Sequence, residues 1–337
     1  MNKKMTAILF ALFAAVLYAV NIPLSKVLLK DVAPIFMAVF LYFGAGLGMS
    51  VYSVFTGKLR NEDKLTKKEL PYTAGMIILD ITAPICLMIG LNEASSANAS
   101  LLNNFEIAAT SVIALLIFKE VISRKMWLAI LLIILSSILL SFEGVESLQF
   151  SYGSIYVLLA CMCWGLENNC TRMLSSKSTI QIVVLKGIFS GLGSFVVAVI
   201  TGEHLPPLIY IVYVLMLGFV SYGLSIFFYV KAQNELGAAK TSACYAVSPF
   251  VGALLSFVIL REALLKTYLI ALIVMAAGTV LVVLDTLLIR HRHRHTHTFV
   301  HTHDGNTHEH VVVHEHGHRH LLNKQSKHFH KHIHSKM

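Results

Sequence analysis

Four ionisable side chains lie inside long apolar stretches of the sequence: Asp80, Glu106, Glu167 and Lys186. A charge at the centre of a bilayer costs about 2.5 to 3.5 kcal/mol on insertion scales, so a charge that persists there faces a cavity or a partner. Two interpretations stay open. The charges hold helices together as structural pairs, or at least one carboxylate binds a proton or a substrate amine.

Glu106 is the first candidate for a proton-linked carboxylate because it lies near the middle of its apolar stretch. Asn103, Glu106 and Thr110 recur at the spacing that puts three residues on one face of a helix. A second stretch combines a carboxylate with an amide and an aromatic ring: Trp164, Glu167, Asn168 and Thr171. We expect both faces to look into a helical bundle.

The remaining two charges have different expected roles. Glu167 and Lys186 lie on consecutive stretches joined by a short loop, so the sequence predicts a salt bridge between them. Asp80 is either a cavity residue or a partner of a helix kink near Pro84, and both interpretations stay open.

Prolines and glycines indicate where the predicted helices bend or pack. Proline interrupts the helical hydrogen-bond ladder, so three prolines are candidate hinges: Pro23, Pro84 and Pro249. Ser242 and Tyr245, close to Pro249, are expected to line the cavity. Gly-x-x-x-Gly pairs permit close contact between helices, and two such pairs occur: Gly44 with Gly48, and Gly187 with Gly191.

Histidines are concentrated after the last apolar stretch, since all but His204 of the 17 lie between residues 291 and 334. Most alternate with other residues: His291, His293, His295, His297, His301, His303, His308, His310, His314, His316, His318 and His320. Imidazole is a ligand of Zn and Ni, so the sequence predicts a metal-binding tail. The alternative is a basic, disordered tail that binds metal without a physiological purpose.

The elements that position these residues are membrane helices. The chain is 56% hydrophobic and 13% charged, whereas soluble domains carry about 25% charged residues, which excludes an ordinary soluble enzyme. A bilayer-spanning helix needs about 20 mostly apolar residues. Ten runs approach this length: residues 5–25, 34–56, 71–91, 98–118, 126–142, 152–171, 182–201, 208–230, 241–260 and 267–289.

Basic residues predict the orientation of these helices. Positively charged loops stay in the cytoplasm. The loop after the second apolar run holds a basic cluster: Lys58, Arg60, Lys64, Lys67 and Lys68. The loops near residues 92–97, 143–151 and 202–207 hold no Lys or Arg. Both termini are therefore predicted to be cytoplasmic. The net charge of +9 does not indicate nucleic-acid binding, because no basic helix with interleaved aromatics is present.

The sequence repeats itself. Asn92, Glu93, Ala97 and Ser100 recur at one constant spacing as Asn234, Glu235, Ala239 and Ser242. Upstream, Gly46-Leu47-Gly48 recurs as Gly191-Leu192-Gly193. Each copy holds five predicted helices. Because five is odd, the second copy enters the membrane from the opposite side, and such inverted repeats are typical of secondary transporters. Glu106 corresponds to Ser248, so the predicted site is asymmetric.

This arrangement resembles the drug/metabolite transporter superfamily, specifically its EamA branch. The resemblance covers residues 5 to 289. It rests on the five-plus-five repeat, on the start of helix four (Asn98 to Glu106), and on the helix ends Phe118-Lys119-Glu120 and Leu260-Arg261-Glu262. It implies export of amino acids or other small metabolites, driven by proton or solute gradients. The histidine tail is not part of the family's common pattern.

We therefore expect an all-α integral membrane protein with ten transmembrane helices in a five-plus-five inverted repeat, followed by a disordered tail. The predicted segments are 1–145, 146–290 and 291–337. The predicted function is proton-coupled export of a small organic metabolite across the cell membrane. Its partners are that substrate, the lipid bilayer and a second copy in a homodimer, with no nucleic acid. No cofactor is required, and Zn or Ni is the metal that the tail could bind. A divalent-metal transporter and a metal-responsive membrane protein are the alternatives, and no enzymatic nucleophile is found.

Overall fold

The computed structural model describes residues 3–56, 63–118, 123–140, 151–261, 266–303 and 306–321. It divides into two units, Met1–Val283 and Leu284–Met337. Every regular element described in the first unit is helical. Glu120 and Glu262, which carry part of the resemblance, lie outside the described residues.

Fourteen α-helical segments are described, several of which continue one another with a short break. In chain order they are α1 Lys3–Ala19, α2 Asn21–Leu28, α3 Pro34–Thr56, α4 Leu70–Glu93, α5 Ser96–Leu102, α6 Phe105–Phe118, α7 Arg124–Leu140, α8 Tyr152–Leu174, α9 Thr179–Ile200, α10 Leu208–Gly218, α11 Ser225–Leu236, α12 Ala238–Tyr245, α13 Ser248–Leu260 and α14 Lys266–Leu287. A 3-10 turn, Lys67–Glu69, precedes α4, and a π-helical segment, Phe219–Leu224, joins α10 to α11.

Seven helices in the described part of the chain are long and apolar enough to cross a membrane. They cover Met5–Leu28, Pro34–Thr56, Lys67–Glu93, Ser96–Ile117, Thr179–Ile200, Leu208–Leu236 and Tyr268–Asp285. These helices support the predicted multi-pass membrane protein. The three other predicted spans form α7, α8 and the pair α12 and α13, and the count of ten spans stays a prediction.

Helix breaks occur where the backbone ladder is weakened. Pro23 and Pro249 follow the breaks between α1 and α2 and between α12 and α13, and proline lacks the N–H that would close a turn there. Pro84 lies inside α4, which continues past it without a break. The break between α5 and α6 contains Asn103 and Asn104 and no proline. Two of the three predicted hinge sites therefore coincide with interruptions, while hinge motion itself stays a prediction.

Small residues bring helices from the two halves together. A Cβ atom added to Gly187 of α9 would overlap the backbone of Gly46 in α3, so these helices touch backbone to backbone. A Cβ at Gly44 would overlap the Leu215 backbone, and one at Gly191 would meet the Phe43 ring. The predicted packing role of the Gly-x-x-x-Gly pairs is confirmed.

The second unit contains a two-stranded antiparallel hairpin of β1 Leu288–His303 and β2 Asn306–Leu321. The register places four histidines of β1 opposite four of β2: His291 and His318, His293 and His316, His295 and His314, His301 and His308. The structure describes these residues as paired strands, and the predicted disorder of the tail in the absence of metal stays a prediction. The alternation of histidine with Arg, Thr and Glu, which the sequence analysis connects with metal binding, is also the period-two pattern of a strand. Residues 322–337 lie outside the described part of the chain.

Candidate functional site

A buried cavity of about 60 Å³ lies within the helical unit, with room for a few water molecules. Its wall is formed by Tyr18, Tyr42, Glu106, Trp164, Glu167, Asn168, Thr171, Lys186, Tyr222, Ser225, Ile226, Tyr229, Val230 and Tyr245. Six of the predicted site residues thus share one cavity: Glu106, Trp164, Glu167, Asn168, Lys186 and Tyr245. Both halves of the chain contribute to it.

Lys186 is the centre of a buried charge cluster. Its Nζ lies 2.9 Å from Glu167 Oε1 and 3.1 Å from Asp80 Oδ2. All three side chains are at most 6% exposed. Thr171 donates its hydroxyl to Glu167, and Tyr42 donates to Asp80 Oδ1 at 2.8 Å. The predicted Glu167–Lys186 salt bridge is confirmed.

Asp80 has a role that neither sequence interpretation named. It is fully buried on α4 and pairs with the same lysine as Glu167. Asp80 is not among the residues of the cavity wall, and the helix around Pro84 is continuous. One ammonium is therefore shared by two carboxylates, and the cluster carries a net negative charge when all three groups are ionised.

Glu106 stands apart from this cluster and has a neutral partner. Asn168 donates its Nδ2 to Glu106 Oε1 at 2.6 Å and also lies 3.4 Å from Thr110 Oγ1. These bonds place Glu106 and Thr110 on the face of α6 that meets α8, as predicted. The structure corrects the placement of Asn103, which lies in the break before α6 and so does not continue this helical face. In the described part of the chain, no Lys, Arg or His nitrogen lies within 4.0 Å of the Glu106 carboxylate.

Aromatic rings form much of the cavity wall, and the sequence analysis missed most of them. The Tyr18 ring centroid lies 5.7 Å from that of Tyr222, 5.8 Å from Tyr245 and 6.5 Å from Trp164. Tyr42 continues the group, with its ring centroid 5.1 Å from that of Tyr222. The sequence signal that could have identified them is a tyrosine inside a predicted membrane span, because a buried hydroxyl needs a hydrogen-bond partner.

A smaller cavity of about 20 Å³ adjoins the same wall at the helix breaks. It is lined by Tyr18, Asn103, Asn104, Glu106, Ile107, Ser242, Tyr245, Ala246 and Pro249. Ser242 and Tyr229 share a hydrogen bond of 2.8 Å, and Ser225 and Tyr245 share one of 3.2 Å. The Asn104 amide is fully buried, and neither its nitrogen nor its oxygen has a hydrogen-bond partner. The predicted residues Asn103 and Ser242 therefore belong to this neighbouring space.

A wider vestibule of about 450 Å³ lies one helical turn away along α11. Val230 lines the buried cavity, whereas Lys231, Asn234 and Glu235 line the vestibule. Lys3 and the Lys177–Asp63 ion pair, 2.8 Å between Nζ and Oδ2, lie at the same end. Lys3, Lys177 and Lys231 are cationic. The basic-residue distribution predicts that this end of the unit faces the cytoplasm.

At the opposite end of α9, the two halves are joined by hydrogen bonds to one carboxylate. Glu203, which follows α9, accepts hydrogen bonds from the backbone N–H groups of Ile35 and Phe36 at 2.9 to 3.1 Å. Its carboxylate thus caps the first turn of α3, where the helix dipole favours negative charge.

The helical unit gives no support to the divalent-metal alternative. Among residues whose side chains are described, no group of three or more His, Cys, Asp or Glu could hold a metal ion. Asp80 and Glu167 approach each other, but a lysine already lies between them. The tail histidines are described as paired strands only, so metal binding there stays a prediction.

Comparison with known proteins gives consistent results. The model of the EamA-like transporter family matches residues 5–142 and again residues 151–284. An uncharacterized transporter of Methanothermobacter thermautotrophicus is 27% identical over 268 residues, covering 74% of this chain and 78% of that protein. The uncharacterized transporter YyaM of Bacillus subtilis is 22% identical over 221 residues, covering 63% and 72%. A solved crystal structure matches with a TM-score of 0.65 at 15% identity, over 83% of this chain and 96% of that one, which supports the fold alone.

Proposed function

The chain belongs to the EamA-like transporter family, and from this premise we propose that it exports a small organic metabolite, an amino acid or a compound of similar size, by proton-coupled alternating access. Family membership makes it a membrane transporter and favours a non-enzymatic role. We place it in the cell membrane with both termini in the cytoplasm.

The observation that carries this proposal is a cavity whose wall combines charged, hydroxyl and aromatic side chains from helices of both halves. Tyr18, Tyr42 and Glu106 come from the first matched segment, and Trp164 and Asn168 come from the second. Movement of one half against the other would expose such a cavity to either side of the membrane. We propose that a solute enters from the predicted cytoplasmic side by way of the vestibule along α11, and that the Glu203 contact helps to hold the two halves together at the other end.

Glu106 is the proposed proton-carrying group. Asp80 and Glu167 share Lys186, whereas Glu106 accepts from a neutral amide. An unpaired carboxylate is costly in a medium of low dielectric constant, so it is stable there when it binds a proton or a cation. Its equivalent in the second half is Ser248, so one carboxylate would serve the whole molecule.

Glu106→Gln tests this assignment, because the amide has nearly the same shape and carries no titratable proton. In proteoliposomes, we expect the variant to lose at least nine-tenths of substrate-dependent proton movement across a pH gradient. Glu93→Gln is the matched control, since Glu93 is exposed at the end of α4 and bonds only its neighbour Asn92 among the described contacts. It should retain wild-type proton movement.

Thermal unfolding of both variants separates loss of function from loss of fold. A folded Glu106→Gln protein with unchanged proton coupling would move the proposed role to Glu167 or Asp80. Failure of every tested organic solute to move in wild-type proteoliposomes would overturn the proposed function itself.

A further inference from the structure

The charges around the main cavity indicate which kind of solute it can hold. Glu106 and Glu167 lie in its wall, and Asp80 lies directly behind it. These three carboxylates outnumber the one ammonium of the wall, that of Lys186. Lys186 contacts both Asp80 and Glu167, so its charge is already shared. Within the described residues, Glu106 has no cationic partner. An added positive charge would therefore be attracted, and an added negative charge would be repelled.

The aromatic rings beside Glu106 also favour a cationic ligand. The face of an aromatic ring is electronegative and attracts cations, most strongly when the cation is desolvated. Tyr18, Trp164 and Tyr245 all line the wall together with Glu106. An alkyl ammonium could place its nitrogen at the carboxylate and its carbon chain against the rings.

The size of the cavity limits the ligand. A volume of about 60 Å³ holds a few water molecules, and so suits a small head group in this conformation. The vestibule of about 450 Å³ gives room for a larger solute to approach.

We propose that the transported solute is a small organic amine that lacks a carboxylate, with its ammonium bound at Glu106 among Tyr18, Trp164 and Tyr245. This inference rests on the proposed function and narrows its substrate class. A carboxylate on the solute would add a fourth negative group to a cavity whose one described lysine is already paired. The competing arrangement is a zwitterion whose carboxylate binds the unpartnered amide of Asn104 in the adjoining cavity.

Three compounds with one branched carbon skeleton distinguish these arrangements: isobutylamine, valine and isovalerate. They carry an amine alone, both groups, and a carboxylate alone. The protein has two tryptophans, and Trp127 is 49% exposed on α7 whereas Trp164 lines the cavity. A Trp127→Phe background therefore makes Trp164 fluorescence a reporter of the site, with thermal unfolding as a second readout of binding.

We expect saturable binding of isobutylamine, at least tenfold weaker binding of valine, and no binding of isovalerate. Glu106→Gln should weaken isobutylamine binding at least tenfold, and Glu93→Gln should leave it unchanged. The proposal is overturned if valine binds as tightly as isobutylamine, if isovalerate binds, if none of the three binds, or if a folded Glu106→Gln variant keeps its affinity. If the Glu106→Gln variant fails to fold, the relative binding of the three compounds to the protein with Glu106 intact still tests the proposal.

Transport measurements separate this inference from the function on which it rests. Proton-dependent export of a solute that has no amine would leave the proposed function standing and overturn the substrate class. Specific binding of isobutylamine at Trp164 without transport of any solute would instead remove the proposed function and leave the binding site.

Discussion

At the scale of single residues, the decisive feature is an unequal distribution of charge. Lys186 neutralises part of a cluster that holds Asp80 and Glu167, and Glu106 lies outside that cluster with a neutral amide. The first arrangement stabilises helix contacts, and the second leaves a group able to bind a proton or cation. The structural interpretation is therefore borne out for Glu167 and Lys186, whereas a role for Glu106 in binding a proton or a cation stays a prediction.

Removal of the shared ammonium should be strongly destabilising. Lys186→Met leaves two buried carboxylates without a cation, so we expect the free energy of unfolding to fall by about 3 to 5 kcal/mol. The triple variant Lys186→Met, Asp80→Asn, Glu167→Gln removes all three charges and should recover at least half of that loss. Denaturant titration of detergent-solubilised protein measures both changes.

Lys177→Met is the matched control for this experiment. Its partner Asp63 lies at a similar distance, 2.8 Å, but is 72% exposed, so the loss should stay below about 1 kcal/mol. If the charge removals in the triple variant were strictly additive, the three buried groups would not be energetically coupled.

The sequence predicted part of this site and missed the rest for physical reasons. Glu167 and Lys186 lie on consecutive helices, so their pairing follows from the short loop between them. Asp80 approaches Lys186 from α4, and nothing in periodicity specifies which nonconsecutive helices touch. Tyr42 and Tyr222 were missed because an aromatic residue in an apolar helix is more often packed than functional.

At the scale of elements, corresponding helices of the two halves are both interrupted beside the cavity. The break before Ser248 was foreseeable, because Pro249 removes a backbone donor. The break at Asn103 and Asn104 carries a weaker signal: asparagine side chains compete for backbone hydrogen bonds and so weaken a helix without forbidding it. Glu106 lies in the first turn after that break, where the partial positive charge of the helix end favours a carboxylate.

Close packing of α3 against α9 should be sensitive to a single methyl group. A Cβ at Gly187 would overlap the Gly46 backbone, which cannot move without displacing the helix. We expect Gly187→Ala to lower the free energy of unfolding by about 1 to 3 kcal/mol. At Gly75, the nearest atom is the Cys170 Sγ at 3.3 Å from such a Cβ, a side-chain atom that can move slightly.

Gly75→Ala is therefore the control for this packing experiment. Alanine also favours the helical state over glycine by up to about 1 kcal/mol, so this variant should be neutral or slightly more stable. Denaturant titration compares the two variants directly. Equal stability would contradict the proposed backbone contact between α3 and α9.

At the scale of the whole molecule, the distribution of basic loops makes a definite prediction about orientation. The loop around Lys64 is expected in the cytoplasm, and the loop that contains Glu203 and His204 is expected outside. The five native cysteines are free thiols, so single cysteines must be placed in a background that lacks them. His204→Cys should react with an impermeant maleimide in intact cells, and Lys64→Cys should react only after lysis. Labelling of Lys64→Cys in intact cells would reverse the orientation.

The histidine-rich segment belongs to a different compact unit from most of the helices. The helical unit ends at Val283, and α14 ends at Leu287. Truncation after Arg290 therefore keeps every described helix and removes the twelve histidines that the sequence assigns to metal. We propose that these residues bind Zn or Ni as neutral imidazoles and act as a regulator or metal buffer.

Truncation after Arg290 should leave proton-coupled solute transport within about twofold of the full chain and remove its response to Zn or Ni. Metal binding needs neutral imidazole, and free histidine has a pKa of about 6.5, so the full chain should bind metal above that pH and lose it as the pH falls below. Isothermal titration of both forms at pH 7.5 and pH 5.5 measures the binding, and proteoliposome uptake measures transport. If truncation abolished cellular metal tolerance while no organic solute was transported, the histidine tail would be part of a metal transporter, and the function proposed for the cavity would be wrong.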